Sequence, residues 1–349
     1  MHNPFIFPYF GMLIPGLYWS PTGSAACLQI EKQAIEQPSV DVDSRFGQSI
    51  IMRGNELFIG QSRGRFSFYE AGLVHYYTRV DEDSAFTYDQ EITAASPGIG
   101  HGFGTGIGFD GTTLVSGSDN PVAGQAEFFT LQTGVWTSDQ LVLPNTFTVG
   151  GSRFGQECAL DGVHALIAAP EAPNGGTIRG GVEYWENVAG TWTFRQAISS
   201  NTPTNGNHFG QGVAMVSDSV AYIASVNSAS NTLVERFTRS GTTWTYDSEF
   251  NIAFGTGSVS NDTLSMDSDG VNLSYGYSRH DADVNNEGMV LVTNQAGATL
   301  LQLDGTVLED EFGTGTSIQG NEMAIGSSLA DDSVPTARAG IAAIWDICF

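Results

Sequence analysis

Lysine is almost missing from this chain: it occurs once, at Lys32, and the other basic residues are arginines. Thirteen basic side chains stand against thirty-eight acidic ones, a formal charge of -25. That balance excludes a sequence-independent nucleic-acid binder, which needs surplus cations to displace counterions. It also disfavours docking on an anionic membrane. Helical periodicity is missing too, and no long Ala/Leu/Glu/Lys stretch occurs. There is no G-x-S-x-G elbow, no H-E-x-x-H, no C-x-x-C pair and no P-loop. The glycine-rich run Gly102 to Gly108 opens a strand that no helix follows, so it is no nucleotide cradle. Charged residues make up 15% of the chain and hydrophobic ones 41%, which excludes a disordered acidic polymer.

What is present is turn chemistry and a repeat. Forty-three glycines accompany abundant Ser, Thr and Asn, the texture of an all-β protein. A small residue followed by a mostly apolar run that often ends in an aromatic begins at Gly72, Gly124, Gly180, Thr232, Gly288 and Gly340. The intervals between those positions are 52, 56, 52, 56 and 52 residues. Twelve residues downstream stand Trp136, Trp192, Trp244 and, more weakly, Leu300; in the first copy Phe86 follows after fourteen. Gln90, Gln140 and Gln196 come four residues later. Upstream, a short apolar strand closes on Gly60, Gly117, Ala168, Ala224, Gly276 or Gly326, and before it comes a turn such as Asp110-Gly111. Before that stands Phe-Gly at 46, 103, 154, 209 and 312; the fifth copy has Ser260-Asn261 there.

Each unit therefore reads as four short strands, and four-stranded units at a period near fifty are propeller blades. The expected fold is an all-β, six-bladed β-propeller of four-stranded antiparallel blades, a single domain over residues 27–349. The Phe-Gly element, the apolar strand ending near Ala168-Ala169-Pro170, and the following G-x-V-x-x-aromatic strand resemble the FG-GAP repeat of integrin α-chain propellers and of secreted bacterial propellers. The resemblance spans roughly residues 40–349. It implies a propeller and adhesion, matrix or accessory roles. The family's calcium loop is not carried over, because Met266 to Gly270 is no longer than its counterpart beginning at Met215.

The last copy lacks a fourth strand, since the chain ends at Phe349. Residues 30–35 match residues 193–198 at Gln-Ala-Ile, with Gln33 in the place of Gln196. An N-terminal strand is thus expected to complete the last blade and remove an open sheet edge. In that register Cys27 and Cys348 flank the interrupted turn between the third and fourth strands. They are expected to form a disulfide in an oxidising compartment, the competing reading being two reduced thiols near the chain ends. Cys158 falls where Val213 stands in the next copy and reads as a small buried residue. Residues 1–26 hold an apolar run interrupted by Pro8 and Pro15, too short for a comfortable membrane span. They read as a cleaved signal peptide, a retained packing segment or, through Ser-Ala-Ala-Cys, a lipoprotein leader. No integral membrane span is expected.

Candidate sites come from loop placement. In a propeller, loops joining strands 2–3 and loops joining blades share one face. Arg63, Arg65, Arg179, Arg279 and Arg338 fall in the former, Arg45 and Arg153 in the latter. Guanidinium groups gathered there would clamp carboxylates or sulfates. Tyr69, with Phe66 and Phe68, would stack on a sugar. The competing reading is that these arginines neutralise neighbouring acids. Arg53 and Arg79 lie on the opposite face. Asp281, Asp283 and Asn285, with Asn286 and Glu287, form the candidate cation set, and calcium is the cofactor such oxygens suit; a hydrated acidic loop is the alternative. His101 and His208, just before two Phe-Gly elements, read as solvated loop residues. The expected function is recognition or adhesion outside the cell or on a cell or virion surface, with a glycan or protein ligand on the loop face. The alternative is a sialidase-like glycosidase or lyase. Gly241 to Trp244 fits half of a sialidase Asp-box, but Arg239 stands where its Asp belongs.

Overall fold

The computed structural model describes residues 29–39, 41, 43–64, 70–119, 122–174, 177–227, 231–253, 264–279, 287–305, 307, 310–330 and 339–349. Among them no helix is long and apolar enough to cross a membrane. Six four-stranded antiparallel sheets form six blades. Blade 1 comprises Phe46–Arg53, Glu56–Gln61, Leu73–Thr78 and Thr87–Ile92, from inner to outer strand. Blades 2 to 5 repeat this order, with inner strands Phe103–Phe109, Cys158–Asp161, Gly212–Ser217 and Leu264–Ser268. Blade 6 begins with Phe312–Gln319. The six inner strands touch one another in cyclic order and close the ring.

Closure occurs as the repeat register predicts. The N-terminal strand Ile30–Glu36 pairs antiparallel with Ile341–Asp346, placing Gln33 opposite Ile344. The same side chain explains why Gln recurs. Gln33 donates to the Phe86 carbonyl at 2.9 Å and accepts from the Phe86 N–H at 2.8 Å. Gln140 holds Trp192, and Gln196 holds Trp244, through the same two bonds. Gln90 does so with Trp136. Each clasp joins the outer strand of one blade to that of the next, at about 0.5–1.5 kcal/mol per hydrogen bond. The core lies in the wedges between blades: Phe58 and Tyr76 of blade 1, for example, pack on Trp136 of blade 2 at 5.3 and 5.8 Å between ring centroids.

The repeat glycine marks a close approach of two backbones. Gly72 forms a parallel bridge to Phe103 of the next blade, and a β-carbon there would lie 2.1 Å from the Phe103 carbonyl oxygen. Blade 4 carries Thr232 at this position, and the pairing of Ser265 with Gly276 sets the Phe-Gly position of the blade that follows at Asp262-Thr263 in the sequence, two residues beyond the expected Ser260-Asn261.

Blade 5 corrects one assignment. Leu300 does not take the place of the strand-4 tryptophan. The hairpin is shorter, Val292 pairs with Leu301 and Thr293 with Thr299, and Leu300 occupies the bulge that Arg195 occupies in blade 3. The tryptophan site falls at Gly297, which Phe250 of blade 4 covers closely enough that an added β-carbon would meet its ring at 2.4 Å.

Buried carboxylates secure the connections between blades. Glu183 accepts from the backbone N–H groups of Asn145, Thr146 and Phe147 at 2.9, 2.6 and 3.2 Å. Glu127 and Glu235 occupy the same register in blades 2 and 4 and accept from Ala95 and Asn201. Burial pushes both of their carboxyls up. Blade 1 has His75 there. It meets Gln61 Oε1 at 2.6 Å, and burial lowers its pKa to about 3, so the ring is neutral.

Cys158 is free and buried, and burial pushes its thiol up. Cys348 is disulfide-bonded. Its expected partner, Cys27, lies outside the described residues.

Candidate functional site

The inner strand of blade 1 is flanked by two arginines of different character. Arg53, at its C-terminal end, meets Asp267 of blade 5 through both terminal nitrogens, at 2.6 and 3.0 Å. Ser317 of blade 6 donates to the same carboxylate at 2.7 Å. Burial works against the Arg53 charge, but Asp267 more than restores it. Nearby on the blade 1–blade 6 seam, Arg79 is 1% exposed and grips Glu322 at 2.7 and 3.0 Å. Lys32 approaches Glu322 at 2.8 Å. Burial works to raise Glu322, but the hydrogen bonds from Arg79 and Lys32 outweigh it and hold the carboxyl below its usual range. These arginines tie blades together.

Arg45, at the N-terminal end of that strand, faces the other way. It lines a cavity of about 290 Å³ built by blades 1, 2, 3, 5 and 6, hence on the axis. Arg63, Arg153 and Arg279 line it with Glu70, Asp119 and Glu157. The residue before each described Phe-Gly adopts a left-handed conformation: Arg45 (φ 60°), Gly102 (65°), Arg153 (54°), His208 (48°) and Glu311 (56°). A non-glycine residue in that region costs about 1–2 kcal/mol. Each turn is closed by an N–H three residues on, from Gln48, Thr105, Gln156, Gln211 and Thr314. Four of those five residues, Gln48, Thr105, Gln156 and Thr314, also line the cavity. The turns of blades 1 and 3 thus present two side chains each to the cavity, Arg45 with Gln48 and Arg153 with Gln156.

The charges here are unevenly matched. Arg279 pairs with Glu311 at 3.1 Å, and Ser328 donates to the same carboxylate at 3.1 Å. Among the described residues, the guanidinium groups of Arg45, Arg63 and Arg153 make no ion pair and no hydrogen bond. The Arg45 Nε is buried without a partner. Burial, then the neighbouring Arg63 and Arg279, push the Arg45 pKa down, against Glu311 and Asp119. Burial raises Asp119, opposed by Arg153, Thr105 and Arg45. Burial pushes Glu157 well above the usual carboxylate range, and Asp267 adds to it.

Of the arginines expected on this face, Arg45, Arg63, Arg153 and Arg279 therefore come together. Arg179 does not line the cavity; it sits on blade 3 with its Nε buried and unbonded. Arg65, Arg338 and Tyr69, and the cation candidates Asp281, Asp283 and Asn285, lie outside the described residues. His208 is not a solvated loop residue: it is half-buried, with Nδ1 3.2 Å from Glu171. Hydrogen bonding to His208 lowers the Glu171 carboxyl. Arg239 binds the Asp218 and Gly241 carbonyls, approaches the Asp218 carboxylate at 3.5 Å and lies over the Trp244 ring, so its contacts are structural. Sequence reading missed Asp119, Glu157 and the glutamines and threonines of the turns. The turn residues share one signal, a place two residues after the phenylalanine of Phe-Gly, with Glu157 one residue further on; Asp119, at the end of the second strand of blade 2, has no such offset.

No family model and no curated protein matches this sequence. Among solved structures, the chain is similar to one described as a protein of unknown function from Dyadobacter fermentans, with a TM-score of 0.54 at 12% identity. The likeness covers 92% of this chain and 99% of that one. At that identity it speaks to the fold alone.

Proposed function

We propose that this propeller is a non-enzymatic recognition module that holds an anionic group of a glycan or protein ligand in its axial pocket. The observation that carries the reading is the convergence, in a protein of charge -25, of three arginines that make no ion pair among the described residues. Thirty-eight acidic residues are available, yet among the described residues Arg45, Arg63 and Arg153 crowd the cavity with no carboxylate paired to them, and the repulsion between Arg45 and Arg63 works against both charges. A bound carboxylate or sulfate would supply the missing counter-charge. The resemblance to FG-GAP propellers supports an adhesion role and a location outside the cell or on a cell or virion surface. Binding of acidic and neutral glycans, measured at two salt concentrations, tests the proposal. The variant Arg45→Met/Arg63→Met/Arg153→Met should lose acidic ligands at least tenfold and leave neutral ones unaffected. Binding indifferent to both salt and the triple substitution would refute it.

A second reading rests on Glu157. Burial raises its carboxyl well above the usual range on a cavity lined by arginines, the direction a general acid requires. Glycoside turnover by the wild type, abolished in Glu157→Gln, would favour this reading over binding.

A further inference from the structure

The axial pocket is not uniformly cationic, and its asymmetry says more about the ligand than the arginines do. Four of the five described Phe-Gly turns place a side chain on the left-handed residue; blade 2 has Gly102. A β-carbon there would stand 2.5 Å from Asp119 Oδ1. The absence of that atom is what admits the Asp119 carboxyl beside the turn. Thr105 Oγ1 stands 2.6 Å from the Gly102 carbonyl and 3.3 Å from the same Asp119 oxygen, and its single proton is shared between these two acceptors. The carboxyl is thus accommodated by the backbone of one blade, on the rim shared with Arg153 and Arg45.

We infer that the pocket reads a hydroxy-carboxylate of the uronic-acid class, with the carboxylate on Arg45, Arg63 and Arg153 and a neighbouring hydroxyl donating to Asp119. This rests on the anion-binding reading above and narrows its ligand. A bare sulfate offers only acceptor oxygens, so Asp119 would face it lone pair to lone pair. A simple carboxylate such as acetate fills the arginines but brings Asp119 no donor beyond the Thr105 hydroxyl it already shares. A neutral sugar answers Asp119 and leaves the arginines unpaired. A group that carries both a carboxylate and an adjacent hydroxyl satisfies both sides, and a buried polar group left without its partner is what gives such a site discrimination.

The test is calorimetric competition among glucuronate, sulfate, acetate and glucose on the full chain at one salt concentration. Glucuronate should bind at least tenfold more tightly than sulfate, acetate or glucose. In Asp119→Asn the ratio of glucuronate to sulfate affinity should fall at least tenfold, with sulfate binding unchanged or improved. The wild-type ranking needs no variant, so a misfolded substitution leaves the inference exposed to refutation. Equal binding of glucuronate, sulfate and acetate would overturn this inference while sparing the anion pocket. Failure of every anion to bind would overturn both.

Discussion

Arg53 meets Asp267 through both terminal nitrogens, whereas Arg45, eight residues earlier at the other end of one strand, faces a polar cavity and makes no ion pair among the described residues. The two positions share a strand, a blade and a residue type. They differ in what the neighbouring blades bring. Blades 5 and 6 send Asp267 and Ser317 toward Arg53. Around Arg45 the repeat sends further arginines, because the residue before Phe-Gly is Arg again in blade 3 and the 2–3 loop of blade 1 adds Arg63. Paired arginine is part of the framework; unpaired arginine waits for something else.

The comparison can be broken most forcefully at Arg79. Replacing it with Met removes a bidentate partner from a nearly buried carboxylate, and breaking such a pair costs about 3–5 kcal/mol. The midpoint of urea unfolding should fall accordingly, with residual compensation from Lys32. Unchanged unfolding would mean that the blade 1–blade 6 seam is held by packing alone.

Arg53→Met should cost less, about 1–3 kcal/mol. Its side chain is 28% exposed, and Ser317 and the Ile318 N–H still satisfy Asp267. The same unfolding measurement ranks the two substitutions.

A smaller effect follows from pH. Asp119, Glu127, Glu157 and Glu235 have folded pKa values raised by burial. Their contribution is fully present below the ordinary carboxyl range and is lost as pH rises through the raised values. Glu171 and Glu322 are lowered, so their contribution is present above that range and is lost as pH falls through the lowered values. Melting temperature should therefore be highest in weakly acidic buffer and decline toward pH 8. A curve rising steadily to pH 8 would contradict this assignment.

The smallest change in stability should come from Arg45→Met/Arg63→Met/Arg153→Met. Relief of mutual repulsion should leave stability within about 0.5 kcal/mol or raise it slightly. A loss as large as that of Arg79→Met would show that the pocket arginines belong to the framework after all.

The ring was legible in the sequence because its determinants are local and repeated. Gln33 matches Gln196 in three consecutive residues, and both make the same clasp to the next blade. Repeat glycines are readable because no side chain fits against the next Phe-Gly. The site was legible by face but not by residue. Loop position places Arg179 and Arg63 alike, yet only Arg63 reaches the axis. What separates them is the path of each loop, which no periodicity records. Asp119 was hidden for a related reason: its place depends on an atom that Gly102 lacks, one turn away in space. Arg79 reads as an opposite-face charge until the seam between first and last blades is closed around it.

The seam has a mechanical consequence. Ile30 pairs with Asp346 and Glu36 with Ile341, so residues 30 and 346 leave the ring side by side. Tension applied between them loads the ladder one rung at a time, as in a zipper, and not all rungs together in shear. The strand should peel away at low force, unless the disulfide of Cys348 bolts the loaded end. Optical-trap extension with and without reductant would separate a hinged door from a locked one.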